Sequence, residues 1–545
     1  MRTLSPALQT DLETMLDPTR VRFDRRERKM YSHDVGEMPP LIKPLLGKTM
    51  PAGVVQPESE EELVALIKWA QKHKVPLTPR GRSTSGYGGV LPVKGGVVID
   101  FYRLDRLLSV DAEAQTATVE TGMIWKRLDQ ELAKKGLTLR LYPSSYPSST
   151  VGGWLAQGGG GLGSFEYGWF SENVISARVV QPDGSIETFD GDELELIADA
   201  EGITGIISHV TLRLRASEPE RLLAAQFDTG EQLVGALQAV VKARVPVWSV
   251  NFINPKMAAL KNIVPPRHLH DEEHHDPPQI PEKYIAIFVY PESRAAEVEP
   301  ALREQVNGDW LDDEIAAHEW EDRFNLMKVK RLGPSIIPTE VLIPLDKLAE
   351  GLSEIETAIK HDLVLEGMLV GGADRPVETI LLGFMPHDGR SFGFNIAYAA
   401  SLSAVKIAKK HGGRGYTTGL YFAGEAERVL GGERLARLKA HKQRVDPHDI
   451  MNPGKVFLNG VGVTRRVSWL MGLAQTFEPL IRPFANLPRI QPGERIGERD
   501  VKGIPADVAW YAHSCSQCGF CVSDCAQFYG RGWESQSPRG KFYFL

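Results

Sequence analysis

The first 514 residues of this 545-residue chain contain no cysteine. All four thiols fall between Cys515 and Cys525, so a disulfide framework holding the rest of the chain is excluded, and the cluster reads as a metal site in a reducing compartment. A surplus of positive charge is also missing. With 63 Lys and Arg against 70 Asp and Glu and a net charge of -7, the chain has no general nucleic-acid signature. No apolar run approaches the roughly 18–20 residues of a membrane span, and Met1–Leu16 carries acids where a secretory leader needs an apolar core. A cytoplasmic chain is predicted. G-x-x-x-x-G-K-[ST] does not occur, which leaves a P-loop ATPase without support.

What is present suits several soluble cores: 42% hydrophobic and 24% charged residues, in a length that allows roughly three or four domains. Everything else is organised around Pro79–Gly89, PRGRSTSGYGG. Its glycines allow close approach of the main chain, Ser83, Thr84 and Ser85 offer hydroxyls, and successive N–H groups can form an anion-binding nest that fits a pyrophosphate. Around it, 53–55 and 75–78 read as strands and 59–73 as a helix, with Ser59 as cap, Glu62 completing a capping box, and Leu63, Leu66, Ile67 and Ala70 on one face. Further strands are expected over 96–100 and 116–120.

A second glycine-rich segment, Pro143–Gly168, surrounds the short apolar core of Val151, Trp154, Leu155 and Ala156. Gly158–Gly163 formally satisfies G-x-G-x-x-G. A helical turn over 151–157 precedes it, however, where a dinucleotide fingerprint needs a strand, so the match is set aside.

Taken with their spacing, these segments resemble the flavin-binding domain of the vanillyl-alcohol oxidase / p-cresol methylhydroxylase family, in its glycolate and D-lactate dehydrogenase branch. PLTPRGRSTSGYGG, GGVVIDFYRLDRLLSVD, TATVETGMIW, TVGGWLAQGGGGLGSFEYG, VVQPDGSIETF and EGITGIISHVTLRLR follow in family order over Pro51–Arg215. The resemblance implies that Arg80, Gly81, Arg82, Ser83, Thr84, Ser85, Tyr87 and Gly88 wrap the FAD pyrophosphate. It implies that Pro143, Ser144, Ser145, Thr150, Val151, Gly152, Gly153, Gln157, Gly158, Gly160 and Gly161 line the isoalloxazine and ribityl side. Gly202, Ile203, Gly205, Ile206 and Ile207 would receive the adenine end. Arg82 and Ser83 stand where some relatives carry a histidine for covalent attachment, so the FAD is expected to be non-covalent.

Beyond Arg215, strand-like runs (247–253, 284–290, 341–344, 379–385) alternate with helical stretches (222–243, 345–361), predicting an α+β domain that, by the resemblance, caps the flavin. Residues 265–281 hold His268, His270, His274 and His275 among acids and prolines, the composition of an exposed loop or of a divalent-metal site. His318–Leu345 resembles the family's Trp-x-x-Arg region and makes Arg323 the candidate clamp for a substrate carboxylate, whose planar shape a guanidinium matches bidentately. The branch's metal-binding histidine pattern is not kept: FMPHDGRSFGFNIAY retains His387, and HGGRGYTTGLYF lacks the Glu-His pair. His387 and His411 are then the candidate general bases. A helix over 425–441 leads to VDPHDIMNPGKVF, which resembles the closing segment that returns to the flavin domain and brings Asn452 and Lys455 near the isoalloxazine.

In the tail, residues 464–486 form a basic and apolar helix suited to packing on the chain itself or to docking a partner or a membrane surface, followed by a polar linker over 491–500. Cys515, Cys518, Cys521 and Cys525 then stand at C-x₂-C-x₂-C-x₃-C, the ferredoxin spacing for a [4Fe–4S] cluster, with Ala526 where a proline is customary. Zinc is the alternative ligand. The run has no second cysteine set and stops inside an apolar element, so the module reads as truncated or completed by a partner redox subunit.

The expected architecture is α+β: a two-subdomain FAD-binding domain (1–216), a substrate cap (217–410), a segment returning to the FAD domain (411–459), a linker with an amphipathic helix (460–500) and an α-helical ferredoxin-like segment (501–545). The expected function is oxidation of a small 2-hydroxy acid by hydride transfer to FAD, with electrons passed to the cluster and on to an acceptor protein or quinone. An electron-transfer subunit without hydroxy-acid chemistry, and a zinc-stabilised binding protein, are the other readings. The expected location is cytoplasmic or peripheral at a membrane.

Overall fold

The computed structural model describes residues 3–264, 277–333, 335–359, 363–372, 375–485 and 503–545. His268, His270, His274 and His275 and the 491–500 linker lie outside the described residues.

Local signals build the first layer. Ser59 caps the helix Glu60–His73, accepting from the Glu62 N–H at 3.2 Å, and the helix buries Leu63, Leu66, Ile67, Trp69 and Ala70 on one face. The reciprocal half of the box is displaced. Glu62 accepts from the Glu58 N–H and pairs with Arg20 at 2.6 Å, because the guanidinium offers a stronger, charge-assisted bond than the cap N–H. The helix covers a four-stranded sheet in the order Val21–Arg22, Gly53–Val55, Val97–Asp100, Leu77–Arg80, whose last three strands run parallel. The strand expected at 75–78 lies two residues later, since its register is fixed by Val97–Asp100 and by a bridge from Leu77 to Met451.

An antiparallel sheet follows, with Leu107–Asp111, Thr116–Glu120, Ile206–Ala216, Val174–Val180 and Ile186–Asp190 in that order and Leu137–Leu139 paired to the end of Ile206–Ala216. Beneath it, Trp125 packs edge-on against Trp154 and Phe170, which are themselves stacked at 4.4 Å.

The third sheet is antiparallel, ordered Asp309–Trp310, Glu220–Phe227, Tyr284–Pro291, Ser249–Ile253, Val364–Val370, Glu378–His387, Ser335–Pro344, Arg414–Gly415. Period-two alternation divides its side chains. Phe252, Phe288, Ile337, Val341 and Met385 share a core with the helices Gly230–Lys242, Leu348–Ala358 and Ser403–Lys410. Ile287, Ile336, Leu342, Leu382 and Phe384 face the other way and share a core with Trp125, Trp154 and Leu155 of the first half.

Two expected helices change. Residues 222–227 belong to a strand, because Glu220–Phe227 pairs along its whole length with Tyr284–Pro291, and the helix starts only at Gly230, where Thr229 and Gln232 form a true capping box. The helix expected over 425–441 is broken at Gly431, whose φ of 82° ends Ala426–Leu430 before Gly432–Val445 begins. The tail helix spans Gly462–Ala485 and packs on Phe392–Ser401 through buried Val467 and Met471, leaving Trp469 and Leu480 exposed. Among the described residues no helix is long and apolar enough to cross a membrane.

Trp125 is 1% exposed, and its ring N–H has no hydrogen-bond partner, so its worth is packing alone. Trp125→Ala is expected to cost about 3–5 kcal/mol in urea unfolding, and Trp125→Phe clearly less.

Candidate active site

Between the glycine-rich half and the third sheet lies a cavity of about 660 Å³. On the first-half side, Thr84, Ser85, Gly86 and Tyr87 of the Pro79–Gly89 loop line it, with Pro143, Ser144 and Ser145, and with Trp154, Gln157 and Gly160. The two glycine-rich segments touch. A Cβ on Gly81 would stand 2.5 Å from Thr150 Oγ1, and one on Gly152 would stand 1.8 Å from Thr121 Oγ1, so neither position admits another residue without rearrangement.

The cap contributes Ile336, Pro338 and Glu340 from one strand and Leu382 and Phe384 from its neighbour, an apolar floor around a single carboxylate. Tyr87 donates to Glu340 Oε2 at 2.5 Å and so ties the loop to the cap. Burial pushes the Glu340 carboxyl up to about 7, against the pull of the Tyr87 hydroxyl, and burial beside Glu340 raises the Tyr87 phenol well above its ordinary value. Tyr416 accepts from the Gly160 N–H at 3.1 Å on the same wall. Lys328 and Arg331 supply positive charge there, Lys328 paired with Asp322 at 2.6 Å.

The far end of the cavity is formed by Cys515, Cys518 and Cys521 with Arg539. Ser148 donates to the Cys518 carbonyl at 2.6 Å and Ser523 to the Pro147 carbonyl at 2.9 Å, docking the cysteine segment on the second glycine-rich stretch. Arg539 reaches further, donating to the carbonyls of Gln517 and Arg82, each at 3.1 Å, and pairing with Glu534. Tyr543 stacks on His33 at 4.1 Å, and Trp533 donates to the Thr19 carbonyl at 3.1 Å.

The residues present fit a flavin dinucleotide. Ser85 Oγ, on the cavity wall, is buried without a partner, and the wall around it, with Thr84, Gly86, Ser144, Ser145 and Gly160, offers main chain and small hydroxyls, the donor set a pyrophosphate and a flavin ring require. The thiols fit a cluster in number and kind. Even so, among the described residues no three His, Cys, Asp or Glu side chains are gathered closely enough to hold a metal ion, and burial pushes Cys521 up to about 11.

Other residues singled out in the sequence are spread around this cavity. Arg80 donates to the His33 and Met30 carbonyls, Arg82 stacks between Tyr102 and Phe528, and Ser83 takes a φ of 55° and bonds the His33 carbonyl. Gly88 donates its N–H to Asp34 at 2.7 Å. Thr150 caps the helix Val151–Gln157, in which Gly153 receives that cap and Gly158 ends the last turn; Gly161 lies against the Tyr142 carbonyl. Gly202 packs on Pro79, and Ile203, Gly205, Ile206 and Ile207 lie in the cores behind the loop and outside the cavity wall. Asn452 donates to the Gly89 and Glu201 carbonyls and Lys455 to that of Leu91, bracing the loop from behind. Arg323 lies outside the cavity wall, its guanidinium over the Trp320 and Phe324 rings at 4.3 and 4.8 Å; residues after it, Phe324 to Lys328 and Arg331, form the wall instead. His387 accepts from the Asp388 N–H at 2.8 Å and His411 bonds Glu354 at 2.8 Å, both away from the cavity lining. Glu340, Tyr416, Arg331 and Arg539 carried no local signal: each reaches the cavity through pairing or docking with distant chain.

Residues 51–190 match the family described as FAD binding domain, and residues 216–456 match FAD linked oxidases, C-terminal domain. The chain is 27% identical over 434 residues to mitochondrial D-lactate dehydrogenase [cytochrome] of Arabidopsis thaliana, covering 75% of this chain and 73% of that one. It is 26% identical over 440 residues to glycolate oxidase subunit GlcD of Bacillus subtilis (strain 168), covering 75% and 90%. A crystal structure of p-cresol methylhydroxylase with substrate bound shares the fold, with a TM-score of 0.68 at 15% identity over 83% of this chain and 96% of that one. A glycine-cradled cavity under a capping sheet, with both domain models in this order, defines a FAD-linked oxidoreductase, and the chain belongs to the vanillyl-alcohol oxidase / p-cresol methylhydroxylase family. Within it, the chain falls in the D-lactate dehydrogenase and glycolate oxidase branch.

Glu534 and Arg539 are 2% and 3% exposed. Burial alone would raise the Glu534 carboxyl, but Arg539, Arg80 and Arg82 outweigh it and hold it below the ordinary carboxylate range. A depressed folded value means that the pair stabilises at neutral pH and that this contribution is lost as pH falls through the folded value. Arg539→Ala is expected to cost about 3–5 kcal/mol and to open residues 503–545 to trypsin at neutral pH, where the wild type stays closed.

Proposed function

We propose that this protein is a FAD-dependent dehydrogenase of small 2-hydroxy acids of the D-lactate or glycolate kind, holding its FAD non-covalently. The observation that carries this reading is the cavity itself, whose hydroxyl and main-chain wall suits the cofactor and whose opposite wall combines an apolar floor with Lys328 and Arg331. FAD, when bound, supplies a two-electron acceptor for hydride. Arg331 and Lys328 would hold the substrate carboxylate. Arg323, the clamp implied by the family resemblance, would act one segment away, its stacking on Trp320 and Phe324 fixing the turn that delivers Lys328 and Arg331. The apolar floor of Ile336, Pro338, Leu382 and Phe384 would exclude water and accept a short alkyl group.

The second part of the proposal concerns the tail. Cys515, Cys518, Cys521 and Cys525 would take up a [4Fe–4S] cluster and so give electrons an exit toward an acceptor protein or quinone. Their spacing supports this, as does the position of three of them on the cavity wall. Because the thiols are not gathered, cluster assembly must draw the 515–525 loop together.

Protein purified without air is expected to show flavin bands together with a broad iron–sulfur absorbance, and its flavin to bleach on anaerobic addition of D-lactate, glycolate or 2-hydroxyglutarate. A flavin that none of the three reduces would overturn the dehydrogenase reading and favour an electron-transfer subunit. Arg331→Ala is expected to raise the half-saturating acid concentration about 10- to 100-fold with FAD content unchanged, the loss of one charge-assisted pair. Cys518→Ala is expected to abolish the broad absorbance and leave the flavin bands; retention of both would remove the cluster.

A further inference from the structure

We propose that Glu340 is the catalytic base of this site, its carboxylate taking the substrate's hydroxyl proton while Tyr87 positions it. The inference rests on the hydroxy-acid reading above and assigns a role that reading leaves open.

Four observations converge on Glu340. It projects from the cap face that looks toward the glycine-rich half, since Ile336, Pro338 and Glu340 alternate on one strand and Leu382 stands opposite Glu340 on the next. It is the acidic group on that floor; the other acids on the cavity wall, Glu37 and Asp524, lie on the N-terminal segment and on the cysteine segment. Its Oε2 is engaged by Tyr87, which belongs to the loop that also supplies Thr84 and Ser85 to the wall, so the carboxylate is indexed to the cofactor cradle. The histidines that could have served instead are turned to Asp388 and Glu354 outside the cavity.

The groups facing Glu340 are few. Tyr87 approaches from the loop; Tyr416, next to the strand Arg414–Gly415, lies close by and bonds Gly160; the neighbouring strand presents uncharged Leu382. Lys328 and Arg331 line the same cavity, but the causes that shift the Glu340 carboxyl are burial and the Tyr87 bond, with no cation among them. Its affinity for a proton, raised by burial to about 7, suits a base working at neutral pH. In the step, the hydroxyl O–H bond breaks and its proton goes to a Glu340 oxygen. FAD, when bound, would supply the two-electron acceptor for the C–H hydrogen, which would leave with its electron pair as hydride while the carbon–oxygen single bond becomes the carbonyl of a 2-oxo acid. Ionised Glu340 is required, so the rate should rise with pH through about 7.

The test uses the full chain with FAD bound. In Glu340→Gln, anaerobic flavin reduction by whichever of D-lactate, glycolate and 2-hydroxyglutarate reduces the wild type fastest is expected to slow about 10²- to 10⁴-fold, with little change in half-saturating concentration and no limb near pH 7. Glu340→Asp should fall between, and carries the test if the glutamine variant does not retain FAD. Tyr87→Phe should keep FAD and move the limb. Independently of turnover, the infrared spectrum of substrate-free wild type minus that of Glu340→Gln, in which Glu27, Glu201 and Glu366, also raised by burial, cancel, should show a protonated-carboxyl band that disappears across about pH 7. Reduction of Glu340→Gln at the wild-type rate with the same pH limb, or a wild-type-minus-variant spectrum without that band, would remove Glu340 as base and leave the hydroxy-acid reading standing. A wild-type flavin that no acid reduces would take both.

Discussion

Glycine main chain pressed against threonine side chains is the constraint on which this site depends. Where Gly81 meets Thr150 and Gly152 meets Thr121, there is no volume for a single carbon, and the two glycine-rich segments can therefore present hydroxyls and N–H groups to one shared space. Close approach removes side chains from that wall and leaves chemistry to the few groups that remain. It also makes the loop incapable of standing alone: it is braced by Asn452 and Lys455 from behind, by Asp34 at Gly88 and by Arg539 at Arg82.

The capping sheet meets this wall with the opposite strategy. Its alternation sends one set of apolar side chains to its own helices and the other to the core shared with Trp125 and Trp154, so the two halves are joined by hydrophobic packing rather than by a hinge. Glu340 interrupts that apolar face. A carboxylate in such surroundings pays a desolvation cost, and the Tyr87 bond offsets only part of it, which is why its proton affinity rises. A polar group kept at an energetic disadvantage in a cavity is the usual mark of a group with a chemical task.

Much of this was legible in the chain, for identifiable reasons. Helix Glu60–His73 announces itself through Ser59 and its buried stripe, and Val151–Gln157 through its short apolar core, because caps and periodicity are local. The loop composition and the relationship of the first half to flavin proteins were readable because glycine is demanded by close approach. Glu220–Phe227 was not, since an apolar run before a helix start reads as part of that helix until its partner strand, Tyr284–Pro291, is known. The choice between Arg323 and Arg331 is similarly invisible: both lie in short 3₁₀ turns, and only the cavity's far wall decides which one faces it. The cysteine spacing was plain, whereas its docking on Ser148 and Pro147 depends on chain some 370 residues away.

That docking has a consequence for how the protein comes into being. Arg539 reaches the Arg82 carbonyl across 457 residues of sequence. At a synthesis rate of about 5–20 residues per second, the loop waits roughly 20–90 s after leaving the ribosome before the side chain that braces it exists. Newborn chains thus pass through an interval with the cradle emerged and this strut still untranslated, and capture of the cofactor in finished form waits on the synthesis of Arg539.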